Sequence, residues 1–221
     1  MTSDNVRPTP PRIPRPADDP PQASRSVAEI LDCAAGCFNE MGYQGTSIDE
    51  VARRLGATKG RIYHYFQSKT DLFLEVHREG MRRLIDAVTA AQQTEGSGRS
   101  RLRRMAEAHA LTIMENIAYE AVVVQGIHIH RSFATTEQQR ESFDELMQIR
   151  LAFEQLFTDT FLEGQKDGSL RADANPAFAV KGLMGAVNWS AIWYRPREGQ
   201  TRDVQRAIAR DIVELQITGL R

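Results

Sequence analysis

Arg53, Arg54, Lys59, Arg61 and Lys69 fall in a stretch, residues 53–69, that holds no Asp or Glu. Cations at this density attract phosphate without regard to base sequence, and a short exposed helix carrying them fits the major groove of a duplex. Tyr63, His64 and Tyr65 interleave further donors able to reach phosphate oxygens. The chemistry implied is binding, not catalysis, because nothing near His64 completes a metal or acid–base site. An enzymatic alternative would use His109, His128 and His130 with Glu115 or Glu120. No Gly-rich phosphate loop, nucleophile elbow or metal-ligand spacing accompanies them. Cys33 and Cys37 stand one helical turn apart without further Cys or closely spaced His, and read as buried or half-buried thiols.

The elements that must position these cations are written in the same stretch. Ser47-Ile48-Asp49-Glu50 has the form of a capping box, with Ser47 as N-cap and Glu50 reaching back. Ile48, Val51, Ala52 and Leu55 recur at helical spacing, so that helix buries one face. Gly56 stops it, because Gly accepts the left-handed conformation of a C-terminal cap. Thr58 caps a second short helix with Ile62 and Phe66 turned inward, and Ser68 opens a third with Asp71 in its first turn. Two helices across a short Gly-containing turn form a helix-turn-helix.

A chain of 221 residues is long enough for one or two domains with a sizeable core. Its formal net charge of −1 means that any nucleic-acid affinity must come from a local patch. No run of about 18 apolar residues is present, so no membrane span is expected. The N-terminus lacks an apolar signal core, which points to the cytoplasm.

The all-α pattern continues along the chain. Residues 1–22 hold Pro8, Pro10, Pro11, Pro14, Pro16, Pro20 and Pro21, seven of the nine prolines, and read as a disordered tail whose Arg7, Arg12 and Arg15 are solvated charges, with contact to DNA phosphates as the alternative. A first helix starts at Ser24 or Ser26, buries Val27, Ile30, Leu31, Ala34, Phe38 and Met41, and ends at Gly42. Further helices are expected from Ser68 to about Gln92, from Leu102 to Ile117, over 119–130, from Glu137 to Asp167, from Pro176 to Arg195 and from Thr201 to Gly219. The helix from Pro176 is apolar almost all round, with Phe178, Val180, Leu183, Met184, Val187, Trp189, Ile192 and Trp193, and must be covered on every side. Gly182, Gly185 and Ala186 in it admit close approach of another backbone. Residues 1–22 form the tail, 23–70 the helix-turn-helix domain, and 71–221 a larger helical domain.

From Ser26 to about Arg83 the chain resembles the TetR family of bacterial transcriptional repressors. The likeness is carried by Phe38-Asn39-Glu40-Met41-Gly42-Tyr43, Gly45-Thr46-Ser47-Ile48, Val51-Ala52, Leu55-Gly56-Ala57, Gly60-Arg61-Ile62-Tyr63-His64-Tyr65-Phe66, Ser68-Lys69 and Leu72-Phe73. The resemblance implies an all-helical homodimer whose three N-terminal helices bind double-stranded operator DNA and whose larger domain binds a small molecule that releases it. It places Lys59, Gly60 and Arg61 at the start of the recognition helix, with Arg61 matched to guanine because its fork meets two acceptors. It places Thr46, Thr58, Tyr63, His64 and Lys69 where the family grips phosphates. No cofactor or catalytic residue is implied.

Gly185-Ala186-Val187-Asn188-Trp189 and Trp193-Tyr194-Arg195-Pro196 carry a second likeness, to the C-terminal domain of TetR-type regulators of fatty-acid and sterol breakdown, several of which sense acyl-CoA thioesters. It implies an acyl-CoA or related lipid-like effector, with a drug-like or aromatic apolar compound as the other class. Met105, His109, Met114, Phe153, Phe157, Met184, Asn188 and Trp189 are the candidate pocket residues. The last two helices are expected to pair between two copies. A DNA-binding protein without an effector is the remaining alternative.

Overall fold

The computed structural model describes residues 21–129 and 136–220. Among these every regular element is a helix. In chain order they are α1 (Pro21–Gly45), α2 (Ile48–Leu55), α3 (Lys59–Tyr63), α4 (Lys69–Gln92), α5 (Gly98–Glu115), α6 (Ile117–Ile129), α7 (Glu137–Lys166), α8 (Pro176–Asn188), α9 (Ser190–Trp193) and α10 (Arg202–Thr218). Arg7, Arg12 and Arg15 of the expected tail lie outside the described residues. The first helix begins at Pro21, earlier than the Ser24 or Ser26 expected, since proline's fixed φ suits a first helical turn. Its regular course breaks at Gly42 (φ 68, ψ 175), the residue expected to end it.

The chain forms two compact units. The first runs up to Arg83 and takes in Glu115–Gln148; the second combines Leu84–Met114 with the chain from Ile149 onward. Helices α4 and α7 therefore contribute to both.

In the first unit Ile30, Ala34, Phe38, Val51, Ile62, Phe73 and Val76 are fully buried. Phe73 stands edge-on to both Phe38 and Tyr43, with ring centroids 5.1 and 5.2 Å away. Such pairs add to the benefit of burial itself. Helix α6 lies along α1. Tyr119 of α6 donates to Asp32 of α1 at 2.7 Å, and the Arg83 guanidinium lies 4.0 Å from the Tyr119 ring centroid. Gly80 lets α6 come close to α4, because a Cβ there would stand 2.7 Å from Val123 Cγ2.

In the second unit Leu102, Met105, Ala106, Phe157, Phe161, Val180, Val187, Val213 and Ile217 are buried. A Cβ on Gly98 would fall on the backbone of Gly164, so α5 and α7 cross there with no side chain between them. The first turn of α5 is capped from the end of α7: Gly98 N donates to Asp167 (2.7 Å) and Arg99 N to Ser169 Oγ (3.1 Å).

The expected helix through Arg195 is interrupted at Trp189, giving α8 and the single turn α9. The expectation that it is covered all round fails for the single chain. Phe178 is 75% exposed and Trp189 62%, and a Cβ on Gly182 or Gly185 would meet nothing within 4 Å. Helix α10 likewise has two apolar stripes. Ala209, Val213 and Ile217 point inward, while Val204 and Leu215 are exposed.

Candidate nucleic-acid interface

Helix α2 is capped as its sequence requires: Ser47 Oγ accepts from Glu50 N at 3.1 Å. The reciprocal half of the box does not form. The Glu50 carboxylate turns to Arg53 (2.7 Å) and Arg54 (2.8 Å), whose hydrogen bonds hold it ionised, with a pKa of about 2. Gly56 sits at φ 65, ψ 30, and its N–H reaches back to Ala52 and Arg53. Only glycine occupies that region without penalty. Thr58 then caps α3 by accepting from Arg61 N at 3.4 Å. Ile62, fully buried, anchors the underside of α3, and the other side chains of its single turn are left outward.

Lys59, Gly60, Tyr63 and His64 are exposed, and Arg61 is partly so. Tyr63 is 52% exposed. His64 lies edge-on to Tyr65, 4.8 Å between ring centroids. These five expected contact residues lie along α3 and its C-cap, on every side of the turn but the one that Ile62 buries, with Thr58 as N-cap. The absence of acids seen along the chain does not survive folding. Glu29 of α1 pairs with Arg61 (2.7 Å), Asp49 of α2 pairs with Lys59, and Glu40 of α1 pairs with Arg54 (2.6 Å). Sequence spacing gave no sign of these partners, because α1, α2 and α3 bring them together only in the folded structure.

Thr46 and Lys69 take different places. Thr46 is 2% exposed, and its hydroxyl faces the carbonyls of Gly42 (2.8 Å) and Cys37 (3.1 Å). That hydroxyl pins the end of α1 and is not presented to a phosphate. Lys69 Nζ donates to the carbonyls of Tyr43 and Thr46, each at 2.9 Å, and sits 4.4 Å from the Tyr43 ring centroid. Burial lowers its pKa. Those two bonds use two of its three ammonium donors. Ser68 and Asp71 close the expected cap on α4: Asp71 N donates to Ser68 Oγ at 3.1 Å.

Of the candidate effector residues, Met105, His109, Met114, Phe153 and Phe157 are buried in the second unit. The His109 ring lies edge-on to Phe153 at 5.2 Å and tilted to Phe157 at 5.9 Å. Met105 is one turn from His109 and shares its face; Met114, five positions on, lies elsewhere around the helix. Nδ1 of His109 finds no hydrogen-bond partner among the described residues. Burial, and then the Arg150 charge, push its pKa down to about 3, so the ring is neutral near pH 7. Met184 and Asn188 are half-buried on α8, and Trp189 points out to the open face, away from any enclosed wall. The side chain of His128 and all of His130 fall outside the described residues. Among those described, no group of His, Cys, Asp or Glu is placed to hold a metal. Burial raises both thiol pKa values, with Cys37 at about 11. No described helix is long and apolar enough to cross a membrane.

A capped pair of short helices with an outward cationic edge defines a helix-turn-helix DNA-binding protein. Residues 30–76 match the family model of bacterial regulatory proteins, tetR family, and residues 95–220 match that of the tetracyclin repressor-like C-terminal domain. The chain belongs to the TetR family of DNA-binding transcriptional regulators. It is 29% identical over 210 residues to the HTH-type transcriptional repressor KstR2 of Rhodococcus jostii (strain RHA1), covering 94% of this chain and 97% of that protein. Over 73 residues it is 38% identical to the HTH-type transcriptional repressor AcnR of Corynebacterium glutamicum, covering 33% of this chain and 38% of that one. The TetR family transcriptional regulator PfmR from Thermus thermophilus superposes with a TM-score of 0.73 at 28% identity, over 87% of this chain and 98% of that one. The ketosteroid transcriptional regulator KstR2 of Mycobacterium tuberculosis shares the fold, with a TM-score of 0.75 at 20% identity, over 88% and 94% of the two chains.

Proposed function

We propose that this protein is a dimeric repressor that leaves its operator when a small apolar or acyl-CoA-type effector binds its second unit. Base reading is assigned to the start of α3, with Arg61 on guanine and Lys59 and Gly60 beside it. Thr58, Tyr63 and His64 contact phosphates, and Lys69 uses its remaining donor there. The observation that carries the DNA assignment is the outward edge of α3, held rigid by caps and backed by one buried isoleucine. The DNA-binding region is taken as residues 23–70 and the regulatory region as residues 71–221. The full-length likeness to a protein named as a repressor supports repression over activation.

The dimer is assigned to the open face of α8 and α10, where Phe178, Trp189, Val204 and Leu215 are bare in the single chain. Two copies would set their recognition helices about one duplex turn apart, roughly 34–36 Å. The effector is assigned to the cluster around His109, whose unpaired Nδ1 offers one polar contact in an aromatic setting. Release needs an effector that prefers one arrangement of α4 over another, and a tenfold to hundredfold loss of DNA affinity takes about 1.4–2.7 kcal/mol of coupling.

Arg61→Ala and Lys59→Ala combined should abolish operator selection while the dimer stays folded. Unchanged selection refutes the α3 assignment. Titrating acyl-CoA thioesters of increasing chain length into the protein–DNA complex tests the effector class, and retention of DNA at every length excludes it. His109→Leu is expected to keep operator binding and raise the effector concentration for half-release about tenfold or more, as loss of a buried polar contact implies.

A further inference from the structure

Glu29 and Arg61 come from different helices, 32 positions apart, and meet with Nη2 donating to Oε2 at 2.7 Å. The other carboxylate oxygen of Glu29 lies 3.6 Å from Arg25 Nε, a loose and exposed ion pair that adds a second cation beside the carboxylate. A guanidinium carries five N–H donors in a fixed planar fork. One bond to Glu29 leaves a pair of parallel donors, the number that guanine O6 and N7 require. A free arginine on an exposed turn must give up rotamer freedom on reaching a base, and fixing its plane beforehand removes part of that loss. The other acid beside α3 differs in kind. Asp49 meets Lys59, whose ammonium is a point charge with rotating donors and has no plane to fix.

We propose that Glu29 is a positioning residue for base recognition: it restrains the plane of the Arg61 guanidinium so that its free edge is aimed before DNA arrives, whereas Asp49 is only a counter-ion that DNA displaces. This rests on the assignment of α3 as the base-reading helix. The side chains of Arg61 and Glu29 are 36% and 45% exposed, and an ion pair so exposed adds little to stability, so the carboxylate can be removed without unfolding the head.

The full-length protein is allowed to select from a library of duplexes with a randomised core, as wild type, Arg61→Ala, Glu29→Gln, Glu29→Asp and Asp49→Asn. Affinities are then measured for the selected duplex and for a scrambled one. Arg61→Ala is expected to erase the preference at one position of each half-site. Glu29→Gln should weaken the preference at that same position by up to about fivefold, the most that an exposed ion pair can contribute. Its affinity for scrambled duplex should hold or rise, since a negative charge has left the interface. Glu29→Asp, which keeps the carboxylate, should recover part of the preference. Asp49→Asn should strengthen binding to both duplexes alike with every preference intact. The proposal is overturned if Glu29→Gln leaves the preference at the Arg61 position unchanged, or lowers affinity for both duplexes by one common factor. If Arg61→Ala leaves all preferences intact, the α3 assignment itself fails and the role of Glu29 falls with it. Loss at Arg61→Ala without loss at Glu29→Gln removes the positioning role alone.

Discussion

Lys69 illustrates how one charged side chain serves two ends. Its ammonium bridges the carbonyls of Tyr43 and Thr46, closing the loop between α1 and α2 on which the reading head depends. Lys69→Met keeps the aliphatic stem and removes the charge, and should lower stability by about 1.5–3 kcal/mol, the range for a hydrogen bond to a charged group. Urea unfolding reads that loss directly. A matching drop of about one in the salt slope of DNA binding would mark the loss of its remaining phosphate contact. His109 gives a pH dependence of known sign. Its pKa is near 3 in the fold and 6.5 when unfolded, so above pH 6.5 both states are neutral. As pH falls below that value, the unfolded chain takes up a proton that the folded one refuses. Stability should therefore drop by up to about 1.4 kcal/mol per pH unit until the ring itself titrates. Unfolding midpoints at pH 7 and pH 5, compared between wild type and His109→Leu, should show a shallower pH slope in the variant.

At the scale of elements, α2 and α3 were legible in the sequence because their ends are set by local chemistry. Ser47, Gly56 and Thr58 each act within four residues of themselves. Gly56→Ala should cost about 1–2 kcal/mol, the penalty for an L-residue in left-handed backbone, and Thr58→Ala about 1 kcal/mol as a lost N-cap. Thermal melts of the full chain check both. What could not be read were choices made across the fold. Glu50 fits a capping box, yet Arg53 and Arg54 take its carboxylate. Thr46 looks like a surface hydroxyl until the end of α1 folds over it. Trp189 falls among apolar neighbours in sequence, but the break between α8 and α9 leaves it outward. Gly98 gave no sequence signal of crossing Gly164, because the two meet only once α5 lies on α7. Gly98→Ala should destabilise the second unit strongly, since the new methyl meets backbone that has no way to yield.

At the scale of the whole molecule, a helix apolar almost all round demands cover that one chain does not supply. Leu215→Lys combined with Phe178→Asp should yield folded monomers by sedimentation. Those monomers should lose most operator affinity, because each half-site would then be bound alone. The two tryptophans of the chain, Trp189 and Trp193, both lie on the uncovered side, 62% and 46% exposed. Their emission is therefore a built-in reporter. On dilution, protomers coming apart should redden the fluorescence maximum without any label, and the concentration at the midpoint of that shift gives the strength of pairing.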